Sequence, residues 1–502
     1  MTMSLPHDRL GDFLALVYSK GVLLWSDQGQ LRFKAPKGSL STQEIDQLRA
    51  SKGAIITFLA REVTAPLTHT QLEYWNFHEL GERSTSRQLA SVTRIAGHLR
   101  VDVLRHGIAE LVRRHAALRT RVIVRGGVPV QVVNAKEQCE LEVTDLSTRP
   151  PSHQQLEMAQ VIEETLMRPI EVAVDMLFAV RLLKLSAEEH ILIVAMNHII
   201  SDAHSMGVLL RDLFMSYAQI VQGRPIELPR IGLQLHDYAI RQKRTHQAWL
   251  DQHRAYWNER LRGCRRLRFP DDPPATPAAG WSRVPLRIGS ALKASLTQWA
   301  RSHRTTLVMA MAAVYAGLVL RWCGATDTVI QFQSDGRLDP DVENTVGYFA
   351  AALFLRVQLP EQATFAELVL QVTQEYCNAY EHADCSYLGS QVPRPEFARN
   401  TAFNWVPRVG QGDLSALRGT DSALDLQALP VPNPELQRLD HDHEPAVVLF
   451  EVDDDVVGYV AFPLNRFSVA NMEHFTRSLL TFVHSLLTQP DKRVADVVLS
   501  RT

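Results

Sequence analysis

Cysteine is scarce in this chain: five residues in 502, namely Cys139, Cys264, Cys323, Cys377 and Cys385, odd in number and without a C-x-x-C pair. That usage argues against a disulfide frame and fits reduced thiols in the cytoplasm. A dominant charge is also missing. Lys and Arg total 53 against 55 Asp and Glu, and a net charge of -2 gives no electrostatic case for nucleic acid or an anionic membrane surface as a partner. Aromatics make up 7% of the chain with no basic stripe beside them, so a single-strand nucleic-acid platform is excluded as well. The first residues, Met1 to Arg9, lack the charged-then-apolar pattern of a secretory signal. The longest apolar run, Leu307 to Leu320, is short of the roughly 20 residues that span a bilayer. Neither a G-x-G-x-x-G after a strand, nor a G-x-x-x-x-G-K-[ST] loop, nor a G-x-S-x-G elbow occurs, which removes dinucleotide, P-loop and α/β-hydrolase readings.

What is present is an ordinary globular composition, 46% hydrophobic and 22% charged, long enough for two or three domains. The first 62 residues read as a separate module. Leu10, Phe13, Leu14 and Val17 fall on one helical face, with Gly21 placed to end the helix. Val22–Trp25, a turn at Ser26–Gly29 and Leu31–Ala35 form a hairpin pattern, and Ser41 with Glu44 makes a capping box opening a further helix. The second hairpin strand carries Arg32 and Lys34 on one face, with Lys37 just beyond. Such an edge either accepts an acidic peptide as an added strand or uses its lysines to prevent aggregation. Gly21–Trp25, Leu31–Gly38 and Leu48–Ile56 resemble the β-hairpin docking domains at the N-termini of nonribosomal peptide synthetase subunits. The resemblance implies that Trp25, Arg32, Phe33, Lys34 and Lys37 capture an acidic C-terminal linear motif of an upstream acyl or peptidyl carrier protein.

The remainder is mixed α/β. Leu104, Ile108 and Leu111 mark a helical face before Arg113–Arg119, and a Pro-rich break at Asp271–Gly280 suggests two lobes. His190–Met196 is a continuous buried-strand run that delivers Asn197, His198, Asp202, His204 and Ser205 at its C-terminal end. A histidine at a strand end with a carboxylate four residues on is suited to act as a rigidly held base. On spacing alone, a histidine at the end of an apolar strand is more often a hydrogen-bonded structural group, and either imidazole is a candidate. Asp440–His443 has metal-ligand residue types but sits in a polar, Pro-rich stretch and reads as a solvated loop, so no metal is expected.

Asn197-His198-Ile-Ile-Ser-Asp202-Ala203-His-Ser205 resembles the H-H-x-x-x-D-G-x-S motif of nonribosomal peptide synthetase condensation domains, in the chloramphenicol acetyltransferase-like superfamily. Leu67–Gln71 through Trp75, Arg114–Thr120, His236–Ala239 and Val346–Arg356 resemble further family motifs in the family's order. The resemblance implies an α/β (α+β) architecture: a docking domain at 1–62, an N-terminal lobe at 67–245 and a C-terminal lobe at 246–502, V-shaped with a tunnel between lobes. It assigns His198 as the catalytic residue, with Asn197, Asp202, Ser205 and Arg337 in supporting roles and Arg337 paired to Asp202. Three positions depart from the pattern: Asn197 replaces a histidine, Ala203 replaces a glycine, and His382–Tyr387 matches its motif only in part.

By that resemblance the chain is an acyltransferase with no cofactor of its own, its substrate carried on the phosphopantetheine of a partner carrier protein. Because the sequence ends at Thr502 where a condensation fold would end, a stand-alone enzyme is expected; it is also expected to be monomeric and cytoplasmic. It would resemble those that release a polyketide or peptidyl chain onto a free small-molecule acceptor as an ester or amide. The alternatives are an internal amide-forming domain excised from a larger synthetase, a degenerate docking platform, and an O-acyltransferase using soluble acyl-CoA.

Overall fold

The structure is a computed structural model. It describes residues 10, 13, 14, 16, 17, 20, 22–27, 30–35, 38–59, 62–79, 88–125, 127–134, 139–168, 170–173, 175–244, 247–274, 280–383, 395–406, 424–429, 444–452 and 454–499. The chain divides into two compact units. The first comprises Met1–Trp249, Arg337–Phe349 and Val409–Leu436, and the second Leu250–Gly336, Ala350–Arg408 and Gln437–Thr502. The lobes expected at 67–245 and 246–502 are therefore not contiguous. Two later segments belong with the first unit because Arg337 is bonded to Asp202 there and Asp425–Leu429 pairs with a strand of its sheet.

The N-terminal module holds β1 (Leu23–Asp27), β2 (Gln30–Lys34), α1 (Thr42–Ala50) and α2 (Lys52–Leu59). Its core is small: Leu10, Leu14, Val17, Val22, Leu24, Leu48 and Ile55 pack together, the first three from one helical face. β1 and β2 pair antiparallel with Trp25 opposite Arg32. α1 begins with the capping box read from the sequence, the Ser41 hydroxyl accepting from the Glu44 N–H and the Glu44 carboxylate from the Ser41 N–H. Gly21, Gln28, Gly29 and Lys37 lie outside the described residues.

The first unit continues with β3 (Glu62–Pro66), α3 (His69–Glu79), β4 (Gln88–Ala96), α4 (Val101–Arg114), β5 (Thr120–Arg125) and β6 (Val128–Asn134). After these come β7 (Glu142–Asp145), α5 (Pro151–Met167), β8 (Phe178–Lys184), β9 (Glu189–Asn197), α6 (Ala203–Val221) and α7 (Leu235–Arg244). The chain then forms α8 (Gln247–Arg260), β10 (Trp281–Arg287), α9 (Ser290–Ser302), α10 (Leu307–Cys323), β11 (Asp327–Ser334) and β12 (Ala351–Gln358). The last elements are α11 (Phe365–Glu381), β13 (Ala402–Val406), β14 (Asp425–Leu429), β15 (Ala446–Val452), β16 (Asp455–Pro463) and α12 (Val469–Thr488).

In the first unit β9 is central to a sheet ordered β14-β4-β9-β8-β7, antiparallel to both neighbours, beside a β3-β6-β5 sheet. Its unbroken apolar run has a simple cause: both faces are covered. Leu192, Val194 and Met196 join the large core that includes α4 and α6, whereas Ile191, Ile193 and Ala195 join a second core with Ile162 and Leu166 of α5. A strand buried on both faces is a rigid support for whatever its end carries.

The second unit is built on a sheet ordered β10-β16-β15-β13-β11-β12. α10, the longest apolar run, is a core helix, capped by the Thr306 hydroxyl and ended by Gly324 at φ +61. No single helix among the described residues is long and apolar enough to cross a membrane. Gly458 of β16 lies so close to β15 that a Cβ there would stand 2.0 Å from the Val448 carbonyl oxygen. Gly458→Ala therefore forces a backbone shift in a central strand and should cost about 1–3 kcal/mol, typical of overpacking. A thermal melt measured by circular dichroism checks this, an unchanged midpoint being the contrary result.

Candidate active site

β9 ends in a closed turn. The Asn197 N–H is held by the Leu177 carbonyl at 2.9 Å, and residues 198–200 form one 3-10 turn capped by the Asn197 side chain, whose Oδ1 accepts from the Ile199 N–H at 3.0 Å. The Ser201 hydroxyl donates back to the Asn197 carbonyl at 2.9 Å. His198 is the partly buried first residue of this turn. Its Nδ1 lies 3.3 Å from the Ser201 carbonyl. A carbonyl only accepts, so Nδ1 carries the proton and the basic lone pair sits on Nε2. The Tyr348 ring meets the imidazole edge-on at 6.1 Å, and Tyr74 meets Tyr348 at 5.7 Å.

Four residues after His198 the chain enters α6, with Asp202 as its N-cap, Oδ1 accepting from the Ser205 N–H at 2.8 Å. Arg337 donates to both carboxylate oxygens, at 2.8 and 3.1 Å, and the Phe349 N–H adds a bond at 3.0 Å. Ser205 Oγ lies 2.7 Å from Asp202 Oδ1 and 2.8 Å from the Gly347 carbonyl, sharing one hydrogen between them, and accepts from the Gly347 N–H and from Arg337 at 3.0 Å each. Arg337 also reaches the Thr345 carbonyl and lies over the Phe349 ring at 4.6 Å. Burial alone would raise the Asp202 pKa, but the Arg337 charge and these hydrogen bonds outweigh it and hold the carboxyl below its ordinary value. Asp202 thus bonds the α6 start and the 337–349 segment, while His198 donates its hydrogen bond to a backbone carbonyl. These bonds of the carboxylate and of the imidazole go to different groups.

His204 turns away, its Nε2 on the Glu343 carbonyl at 2.9 Å, which separates the two histidines that spacing left equivalent. Ala203 begins the helix, and among the described non-glycine residues only Arg304 has a positive φ, so no left-handed backbone is asked of this alanine. The Arg114–Thr120 motif forms a second buried polar knot. His115 Nε2 lies 3.1 Å from Asp212 Oδ2, Arg114 is bonded to the same carboxylate at 3.0 Å, and burial lowers the His115 pKa. Of the docking residues, Arg32 and Phe33 are exposed on β2, and Phe33 retains 50% of its surface. Trp25 and Lys34 lie in the paired strands, and Lys37 is outside the described residues.

Two contributors were not apparent from the sequence. α3 brings buried Gln71 against the turn, its Nε2 donating to the Ile199 carbonyl at 2.8 Å, and Thr70 to the Tyr348 carbonyl at 2.8 Å. Leu67–Gln71 carried a signal for Gln71 alone, in the Thr68-x-x-Gln71 spacing of a capping box. Among the described residues no group of His, Cys, Asp or Glu could hold a metal ion, and Asp440–His443 lies outside them. Burial pushes the Cys139 thiol up to about 11 and Cys323 to about 12, so neither supplies a thiolate at neutral pH.

Removing one partner of the Asp202–Arg337 pair strands the other charge. Arg337→Ala should cost about 3–5 kcal/mol. The depressed Asp202 pKa gives stability that is present above the ordinary carboxylate pKa and lost as pH falls. The advantage of the native chain over Asp202→Asn should therefore shrink as pH drops below about 4. Urea unfolding between pH 3 and 7 checks both; an unaltered midpoint for Arg337→Ala would contradict the assignment.

Comparison with known proteins returns two families. Residues 61–502 match the condensation domain and residues 11–61 the TubC N-terminal docking domain. The isonitrile lipopeptide synthase of Mycobacterium tuberculosis is 29% identical over 65% of this chain and 13% of its own length. The beauvericin nonribosomal cyclodepsipeptide synthetase of Beauveria bassiana is 25% identical over 85% of this chain and 14% of its own. The chain thus spans a small fraction of the curated relatives it matches. Among solved structures, the SgcC5 protein from Streptomyces globisporus, crystallised with (R)-(-)-1-(2-naphthyl)-1,2-ethanediol and sucrose, superposes with a TM-score of 0.68 at 22% identity, over 85% of this chain and all of that one. The closed strand-to-helix turn bearing His198 and the hairpin module before it are thus those of a chain that belongs to the condensation-domain family of nonribosomal peptide synthetases, with a TubC-type docking domain at its N-terminus.

Proposed function

We propose that this chain transfers a polyketide or peptidyl group from the phosphopantetheine thioester of a partner carrier protein to the hydroxyl of a free small acceptor, releasing an ester. The observation that carries this reading is the 3.3 Å contact of His198 Nδ1 with the Ser201 carbonyl: a carbonyl only accepts, so the proton is assigned to Nδ1 and Nε2 is the basic atom. A thioester is already activated and needs no covalent enzyme intermediate, so binding both substrates together supplies much of the rate. His198 Nε2 takes the hydroxyl proton as the oxygen attacks the thioester carbonyl, the C–O bond forms, the C–S bond breaks, and the imidazolium returns the proton to the departing thiolate. A neutral amine attacks without such help; a hydroxyl depends on it.

One relative and one fold neighbour support the hydroxyl. The relative is named for a cyclodepsipeptide, a product containing esters, and the fold neighbour holds a diol. The relatives' much greater length, of which the matched segment is 13% in one case, favours a second reading, internal amide formation. For delivery, exposed Arg32 and Phe33 on the two-stranded hairpin suit an acidic C-terminal tail of the carrier protein, added as a strand beside β2.

The test is intact-mass analysis of a carrier protein loaded with hexanoyl-phosphopantetheine and offered hydroxy acids, diols and amino acids. Loss of the acyl group to a hydroxyl acceptor is expected, slowed by about 10²–10⁴-fold in His198→Ala. Products from amines alone would favour the amide reading, and an unchanged acyl load with every acceptor would sink catalysis. With a carrier bearing an acidic tail, Arg32→Glu should raise KM several-fold at low salt and leave kcat unchanged, the difference fading at high ionic strength. Equal KM at all salt concentrations would remove the hairpin from recruitment.

A further inference from the structure

α3 opens with a capping box that the sequence signals as T-x-x-Q. The Thr68 hydroxyl accepts from the Gln71 N–H at 3.1 Å, and Gln71 Oε1 accepts from the Thr68 N–H at 3.0 Å. Such a box uses only the oxygen of the glutamine. The nitrogen is left for other work, and here its orientation is not ambiguous. Oε1 is fixed by the Thr68 N–H and by Gln131 Nε2 at 3.2 Å, and Gln131 Nε2 is itself held by the Pro66 carbonyl at 2.8 Å. Gln71 Nε2 therefore faces the Ile199 carbonyl at 2.8 Å, with the whole side chain buried. Ile199 is the residue after His198, in the middle of the turn that Asn197 caps.

We propose that Gln71 is a positioning residue for His198: its side-chain nitrogen pins the Ile199 carbonyl and thereby the tilt of the turn that aims the imidazole. The turn is then held from three sides, by Asn197 Oδ1 on the Ile199 N–H, by the Ser201 hydroxyl on the Asn197 carbonyl, and by Gln71 on the Ile199 carbonyl. The same helix steadies the ring facing His198, since Thr70 holds the Tyr348 carbonyl and Tyr74 packs on the Tyr348 ring. With one helix turn fixing both the imidazole and its neighbour, a displacement of α3 would move them together. The inference rests on His198 being the proton acceptor, as proposed above.

The capping box makes the role separable from fold. Gln71→Glu keeps an oxygen for the Thr68 N–H, since glutamate serves a capping box as well as glutamine does, but it removes the donor to Ile199. Thr68→Ala breaks the box and leaves that donor in place. With hexanoyl-loaded carrier protein and the diol or hydroxy acid that unloads it fastest, Gln71→Glu should lower kcat roughly 10- to 100-fold with KM for the carrier unchanged, in proportion to the sensitivity of rate to misplacement. Thr68→Ala should lower the melting temperature and keep kcat within about twofold, the size of effect that a rigid turn tolerates. In a His198→Ala background, Gln71→Glu should change the residual rate little, because it acts through the imidazole. Wild-type kcat in Gln71→Glu would overturn the proposal. So would an equal kcat loss in Thr68→Ala, or a full second loss in the His198→Ala background. If His198→Ala itself is fully active, the reading of His198 fails instead, and the two failures are distinguishable.

Discussion

The buried carboxylate of Asp202 is the constraint on which the site depends. It sits where the rigid strand β9 gives way to α6, caps that helix, and collects hydrogen bonds from Ser205, Arg337 and Phe349. A carboxylate out of water is tolerable only when its oxygens are fully engaged, and here the N-terminal dipole of α6 adds to the guanidinium. Because those donors come from the 337–349 segment as well as from α6, satisfying one charge fixes the position of two pieces of chain. His198 lies between the strand and this anchor, so its freedom is limited from both ends. The carboxylate frames the site while the Ser201 carbonyl sets the proton position on the imidazole.

Such a division of labour explains why Asn197 fits where the family pattern has histidine. Its oxygen is used locally, as the cap of the turn that follows, and an amide does this as well as any short polar side chain. Ala203 is likewise accommodated, because the backbone there is already helical rather than left-handed.

Much of this was legible in residue order and some was not. β9 was readable because a run buried on both faces has no polar alternation, and the N-terminal helix because Leu10, Leu14 and Val17 recur on one face. The docking hairpin and the Ser41–Glu44 box followed from local turn and capping chemistry, which acts over a few residues. The discontinuous first unit was not legible, since Arg337 lies 135 residues from Asp202 and β14 pairs with β4 across most of the chain. Residue type at one position carries no trace of such a partner. Gln71 escaped for a related reason. Its side-chain nitrogen's partner lies 128 residues away and appears only once α3 is set beside the turn.

The base catalysis proposed for this turn depends on which nitrogen of His198 is protonated. Nitrogen-15 spectra of histidine-labelled protein, with the His198 signals identified by their loss in His198→Ala, read this directly. The predicted result is the proton on Nδ1 and an unprotonated Nε2. A proton residing on Nε2 at neutral pH would contradict it, because the base would then be the atom turned toward the Ser201 carbonyl.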